Sequence, residues 1–153
     1  RSAVDRGEQS FLELIRDNDL VLALDSLVHF GHWITPDMMP KRFDTHFYVA
    51  PAPPDQIAAH DGRETTDSVW IGAQAALEAE EAGEAVIIFP TRMNLKKFAT
   101  ASSVADAVDR FGRETVVTVK PQQSETPEGE PCLIIPEVEG YGQTVELLSR
   151  VNV

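Results

Sequence analysis

The run His32-Trp33-Ile34-Thr35-Pro36, followed a few residues later by Lys41-Arg42-Phe43-Asp44-Thr45-His46-Phe47-Tyr48-Val49-Ala50, constrains the fold of this chain more than any other stretch. Aromatic and β-branched side chains on both sides of a proline-bearing turn read as two strands of one hairpin, because such side chains suit a pleated, half-buried surface. A cation and a carboxylate, Arg42 and Asp44, stand among aromatic residues where the second strand begins. That strand must stop near Ala50, since Pro51, Pro53 and Pro54 cannot donate to a central ladder. The first strand reaches back to Leu27 and carries His29 and His32.

Around this hairpin, helical and strand patterns alternate. Phe11, Leu12 and Ile15 predict a short amphipathic helix over 9–16 with Ser10 as N-cap, ended by Asn18-Asp19. Residues 20–24 extend it as a turn or strand, and 55–61 read as a loop or single helical turn. The Ala-, Leu- and Glu-rich stretch 71–82 predicts a helix stopped by Gly83, and Val86 to Phe89 an apolar strand closed by Pro90. Helices are expected over 94–100 and 103–111, the second capped by Ser102 or Ser103 and ended by Gly112. Residues 115–119 alternate as a strand. The polar stretch 121–131, with Gly129 at a turn, predicts an exposed hairpin loop before Leu133-Ile134-Ile135, and 145–151 a final helical turn or tail.

Composition narrows the function classes. A length of 153 residues with 42% hydrophobic content suits one domain with a real core. No run approaches the roughly 18 apolar residues of a membrane span, so no membrane partner is expected. A formal charge of −12 argues against a nucleic-acid surface, which draws on clustered Lys and Arg. The single cysteine, Cys132, excludes an internal disulfide and fits a reducing, cytoplasmic setting; its apolar neighbours mark it as a buried strand residue rather than a nucleophile.

Further motifs follow the hairpin in order. They are Glu64-Thr65-Thr66-Asp67-Ser68-Val69-Trp70-Ile71 with Ala75-Ala76-Leu77, then Phe89-Pro90-Thr91-Arg92-Met93-Asn94-Leu95, then Cys132-Leu133-Ile134-Ile135-Pro136 and Gly140-Tyr141-Gly142. With the hairpin they cover about residues 26–145 and resemble the part of Nudix hydrolases downstream of the catalytic helix, in particular the longer branch that includes coenzyme A diphosphatases. The resemblance implies an α/β fold, a mixed sheet flanked by helices in an α/β/α sandwich. It also implies hydrolysis of a nucleoside-diphosphate-linked pyrophosphate, with coenzyme A or an acyl derivative as the suggested substrate and Mg²⁺ or Mn²⁺ as cofactor.

The glutamate-bearing Nudix signature itself is not intact. Gly62, Glu80, Glu81 and Gly83 fall at its offsets, but Ser68, Ala76, Leu77 and Glu78 stand where Glu, Arg, Glu and an aliphatic residue belong. Glu80 and Glu81 therefore read as an exposed acidic helix end. Arg1 is not an initiator methionine, and the opening residues 1–8 have no apolar h-region. The expectation is a C-terminal portion of a Nudix domain, inactive alone, its metals held by the missing box. A homodimer, or association with the missing N-terminal part, would cover the open sheet.

Several residues are candidates for the site that the resemblance implies. Arg42 would take a substrate phosphate with its two-point guanidinium fork; the alternative is an ion pair with Asp44 or Glu64. Asp44 itself reads as structural, tying down backbone amides. Glu64 would serve as the base outside the box, or else fix its loop through a hydrogen bond or ion pair. Trp33, Thr35 and Phe43 would contact the substrate, and Trp33 and Trp70 read as core or cleft walls, one of them able to stack on a base or pantetheine arm. Strand alternation points His29 and His32 to opposite faces, and His46 and His60 lie elsewhere, so spacing predicts no metal cluster. Two rival readings remain: a non-catalytic Nudix-like module that binds a nucleotide or a protein, and a small α/β domain unrelated to Nudix.

Overall fold

The computed structural model describes residues 2–55, 60, 62, 65–137, 141–142 and 144–151. Backbone contacts divide the chain into two compact units, Arg1–Leu27 with Ala52–Trp70, and Val28–Pro51 with Ile71–Val153.

The first unit holds two helices, α1 at Ser2–Asp5 and α2 at Phe11–Asp17. The cap predicted for α2 forms as a reciprocal pair. Ser10 Oγ accepts from Glu13 N, and the Glu13 carboxylate accepts from Ser10 N, which satisfies two backbone donors that the first helical turn leaves open. Residues 20–24 do not form a strand; the chain makes one 3₁₀ turn at Leu24–Ser26 instead. Residues 65–70 lie in no helix or strand, and Trp70 is 75% exposed, so it is not a core residue. Thr65, Thr66, Asp67 and Ser68 supply little apolar surface for a strand to bury.

The second unit is α/β, with two small sheets and three α-helices among its described residues. Strands β1 (Val28–Ile34) and β2 (Asp44–Val49) form the expected antiparallel hairpin, and β3 (Thr118–Val119) adds to β1 in parallel, giving the order β2-β1-β3. The second sheet is an antiparallel meander of β4 (Gln122–Glu125), β5 (Pro131–Ile135) and β6 (Thr144–Leu147). The turn between β4 and β5 is thus confined to 126–130, with Gly129 at φ 83°. Residues 144–147 pair with β5 as a strand, and the final helical turn expected over 145–151 is confined to a 3₁₀ turn at Leu148–Arg150.

Helices α3 (Ala73–Glu81), α4 (Phe89–Ala99) and α5 (Val104–Arg113) complete the unit. Gly83, at φ 75°, ends α3 by donating to Glu80 O, as a left-handed cap residue does. The strand expected over 86–89 is absent. Phe89 is the first residue of α4 and Pro90 lies in its first turn, where a missing N–H is no loss. Ser103 caps α5 by accepting from Asp106 N, and Gly112 lies inside the helix rather than ending it.

Two apolar clusters hold the unit together. Trp33, Phe89, Met93, Val119, Leu133 and Ile135 join both sheets to α4, while Phe30, Ala107 and Phe111 join β1 to α5. Full burial of side chains of this size is worth about 1.5–3 kcal/mol each. A buried ion triad links the elements further. Arg92 on α4 reaches Glu80 on α3 and Glu146 on β6, each at 2.6 Å. Glu80 is therefore a largely buried structural partner, not part of an exposed acidic helix end; Glu81 alone is exposed.

The pairing of β1 with β2 contains one irregularity that governs the site. The register shifts between His29 and Gly31, so that Phe30 and Gly31 are buried in succession opposite Phe47. Gly31 permits this because a Cβ there would stand 2.9 Å from Tyr141 Oη and 3.2 Å from Asn94 Oδ1. Behind the bulge, Trp33 Nε1–H donates to Tyr141 Oη at 3.3 Å, and Tyr141 donates to Asn94 Oδ1.

Candidate functional site

Where β1 and β2 part, the turn is fixed by its own polar groups. Thr35 N donates to Phe43 O at 3.0 Å, and Phe43 N donates to Thr35 Oγ1 at 3.0 Å. Beneath this turn lies a cleft of about 430 Å³, within the size range of small-molecule sites. Its walls are mostly apolar, with Trp33, Met39, Phe43, Phe47, Phe89 and Leu133 among them, and Thr35, Thr45 and Thr91 supply hydroxyls. Lys41 also lines it, its Nζ 5.0 Å from the centre of the Phe43 ring. Three residues singled out from sequence, Trp33, Thr35 and Phe43, are thereby brought into one cleft. Trp33 is only 3% exposed, so it can offer an edge or a wall but not a free ring face.

Arg42 does not line the cleft. It is half-exposed at the turn, its Nη2 2.7 Å from Asp37 Oδ1 and its Nε donating to Thr35 O at 3.2 Å. Its carboxylate partner is Asp37, not Asp44 as the sequence suggested. Lys120 Nζ reaches the other Asp37 oxygen at 2.6 Å. The hydrogen bond from Lys120, reinforced by the charge of Arg42, holds the Asp37 carboxyl below the usual carboxylate range. Two cations share that one carboxylate, and Lys41 adds a third close by, which makes the turn locally cationic in an acidic chain. Glu64 lies outside the described residues.

The opposite face of the hairpin corrects the histidine expectation. Simple alternation would separate His29 from His32, but the bulge adds one residue between them, so both stand on the face that carries Asp44, His46 and Tyr48. His32 pairs directly across from His46, with ring centres 4.0 Å apart and planes within 7°. His32 Nε2 lies 2.6 Å from Asp44 Oδ1, and His46 Nε2 lies 3.8 Å from the same oxygen. Asp44 thus binds an imidazole instead of backbone amides. Among the described residues, His32, Asp44 and His46 are the group of His, Cys, Asp or Glu whose ligand atoms come within 4.8 Å of one another.

Two imidazoles and one carboxylate do not suit Mg²⁺, which takes an octahedron of oxygens, nor the carboxylate-bound Mn²⁺ that the resemblance implies. Glu80 offers no alternative, its carboxylate being held by Arg92. A larger groove of about 660 Å³ runs between α3, α4 and β6, lined by Leu77, Glu80, Arg92, Lys96 and Glu146 among others. Within it Arg92 is matched by two carboxylates, and no residue singled out from sequence for substrate contact lies there.

Sequence reasoning missed several cleft residues. Thr45 and Phe47 follow from the two-residue period of β2 once Phe43 is chosen, and Lys41 by the same step in the other direction. Phe89 and Leu133 arrive from distant segments, and no local signal places them. No helix among the described residues is long and apolar enough to cross a membrane. No family model matches the chain, and no curated protein and no solved structure matches it.

Proposed function

We propose that the cleft under the Thr35–Phe43 turn binds a nucleotide-containing pyrophosphate, and that the chain contributes this binding portion to a Nudix-type hydrolase of the α/β/α kind. The observation that supports the reading most is the convergence of Trp33, Thr35 and Phe43 on one apolar cleft beside Lys41, Arg42 and Lys120. An exposed aromatic ring such as Phe43 stacks on a base with no demand on its identity, and stacking of this kind is worth about 1–3 kcal/mol. The cations at the turn would meet the phosphates, with Arg42 holding the turn in shape through Asp37 and Thr35 as well as supplying charge. The Mg²⁺ or Mn²⁺ of such an enzyme has no carboxylate site among the described residues. The role we assign to this chain is binding and orientation of the substrate.

Titration calorimetry with ADP-ribose and coenzyme A tests the reading. Saturable one-to-one binding is expected, weakened about tenfold by Phe43→Ala. Phe43 is exposed, so its truncation should spare the fold. Absence of saturable binding, or equal affinity in the variant, would remove the cleft as the site. Phosphorus NMR of the same mixtures with added Mg²⁺ separates cleavage from a binding module that does not cleave.

A further inference from the structure

We propose that His32, Asp44 and His46 form a binding site for a divalent transition-metal ion of the Zn²⁺ class, on the face of the hairpin opposite the cleft. The ligand set carries the choice of ion: imidazole nitrogens suit Zn²⁺, Co²⁺ or Ni²⁺, and one carboxylate completes a three-residue set that leaves a position open to solvent. The site is independent of the cleft and of any ligand bound there.

The spacing is close to what such an ion needs. Tetrahedral Zn²⁺ with ligands about 2.0–2.1 Å away sets its donor atoms about 3.3 Å apart. The observed separations from Asp44 Oδ1, 2.6 Å to His32 and 3.8 Å to His46, fall on either side of that value. His32 is fixed, its side chain only 17% exposed, whereas those of Asp44 and His46 are much freer. A tilt of the His46 ring out of its parallel stack would bring both Nε2 lone pairs onto one ion.

An ordinary cross-strand cluster would not require the remaining ring nitrogens to be held, yet here both are. His32 Nδ1 lies 2.7 Å from Thr118 Oγ1, and His46 Nδ1 lies 3.1 Å from His29 Nε2. With an ion on the two Nε2 atoms, His32 Nδ1–H donates to Thr118 Oγ1; His29 Nε2 lies 3.1 Å from Gly31 O, which can only accept, so His46 Nδ1–H can donate to His29 only once His29 Nε2 releases that carbonyl. The Thr118 bond is an outer contact of the kind that fixes tautomer and ring orientation at metal sites, and losing one typically costs about 10–100-fold in affinity. The three strands β2, β1 and β3 thus contribute ligands or their supports in one row.

The test uses the untagged chain, titrated with Zn²⁺ by calorimetry and with Co²⁺ by visible absorption. One ion per chain is expected, with Co²⁺ d–d bands of a four- or five-coordinate centre and no displacement by excess Mg²⁺. His46→Ala and Asp44→Asn should each weaken Zn²⁺ binding more than about tenfold, and Thr118→Val about tenfold. His60→Ala, an exposed histidine outside the hairpin, should leave it unchanged. If His46→Ala lowers Tm, Asp44→Asn on an exposed carboxylate carries the comparison. Absence of stoichiometric binding, or binding indifferent to Asp44→Asn and His46→Ala, overturns the site.

Discussion

The two faces of the β1–β2 hairpin are built from the same two strands and differ in almost every property. One face buries Phe30 and Trp33 against α4 and α5 and opens at its end into an apolar cleft. The other carries a row of contacts at the surface, Tyr48 against His29, His29 against His46, and His46 and Asp44 against His32. Period-two alternation alone would not sort them this way, because His29 and His32 are three residues apart. The bulge at Phe30–Gly31 does the sorting: it absorbs one residue on the buried side and returns the next histidine to the outer side. A single local irregularity thus decides which side chains can act together.

The largest expected effect lies on the buried face. Phe111 is almost fully buried against Phe30 and Phe98, with ring centres 5.4 Å and 5.3 Å away. Phe111→Ala should cost about 3–5 kcal/mol by chemical denaturation. Tyr48→Ala, on the outer face, should stay within about 0.5 kcal/mol. Similar losses for the two variants would mean that the faces do not differ in the way described.

A smaller effect is expected at the bulge. Gly31→Ala pushes a methyl group toward Tyr141 Oη and Asn94 Oδ1, and crowding of this kind costs about 1–3 kcal/mol. The same variant should disturb the outer face by shifting His32 against His46, which the proton shifts of the two imidazoles would report. A stable Gly31→Ala with unchanged imidazole signals would show that the bulge does not set the register.

The smallest effect concerns pH. Burial pushes the Tyr141 phenol above its ordinary value; the Trp33 hydrogen bond opposes this and the nearby Glu114 adds to it. A group whose pKa is raised on folding contributes stability fully present below its unfolded value, about 10, and lost as pH climbs through the folded value. Tyr141→Phe should therefore lie below the parent at neutral pH by about 1 kcal/mol, for the lost hydrogen bonds, and the gap should narrow at strongly alkaline pH. A gap constant from pH 8 to 11 would contradict the assignment.

The hairpin was legible in the sequence because aromatic and β-branched residues alternate on either side of a proline-bearing turn, and the caps at Ser10 and Ser103 because their side chains act within one helical turn. Pro90 misled for a physical reason: the same missing N–H that ends a strand is harmless at a helix start. Trp70 misled because aromatic character signals burial only where other elements supply a partner surface. Three cleft residues could be named in advance from one contiguous motif, whereas Phe89 and Leu133 depend on tertiary packing, and the outer histidine cluster depends on a bulge that no spacing rule announces.

The central claim is that the hairpin carries two separate sites back to back, and side-chain NMR on one sample tests it most directly. The Trp33 indole Nε1–H reports the cleft face, and the Cε1–H signals of His32 and His46 report the outer face. Titration with ADP-ribose should move the Trp33 indole signal and leave the two imidazoles in place; Zn²⁺ should shift or broaden the imidazoles and leave the indole in place. Movement of both sets with either ligand, or of neither with both, would contradict the account.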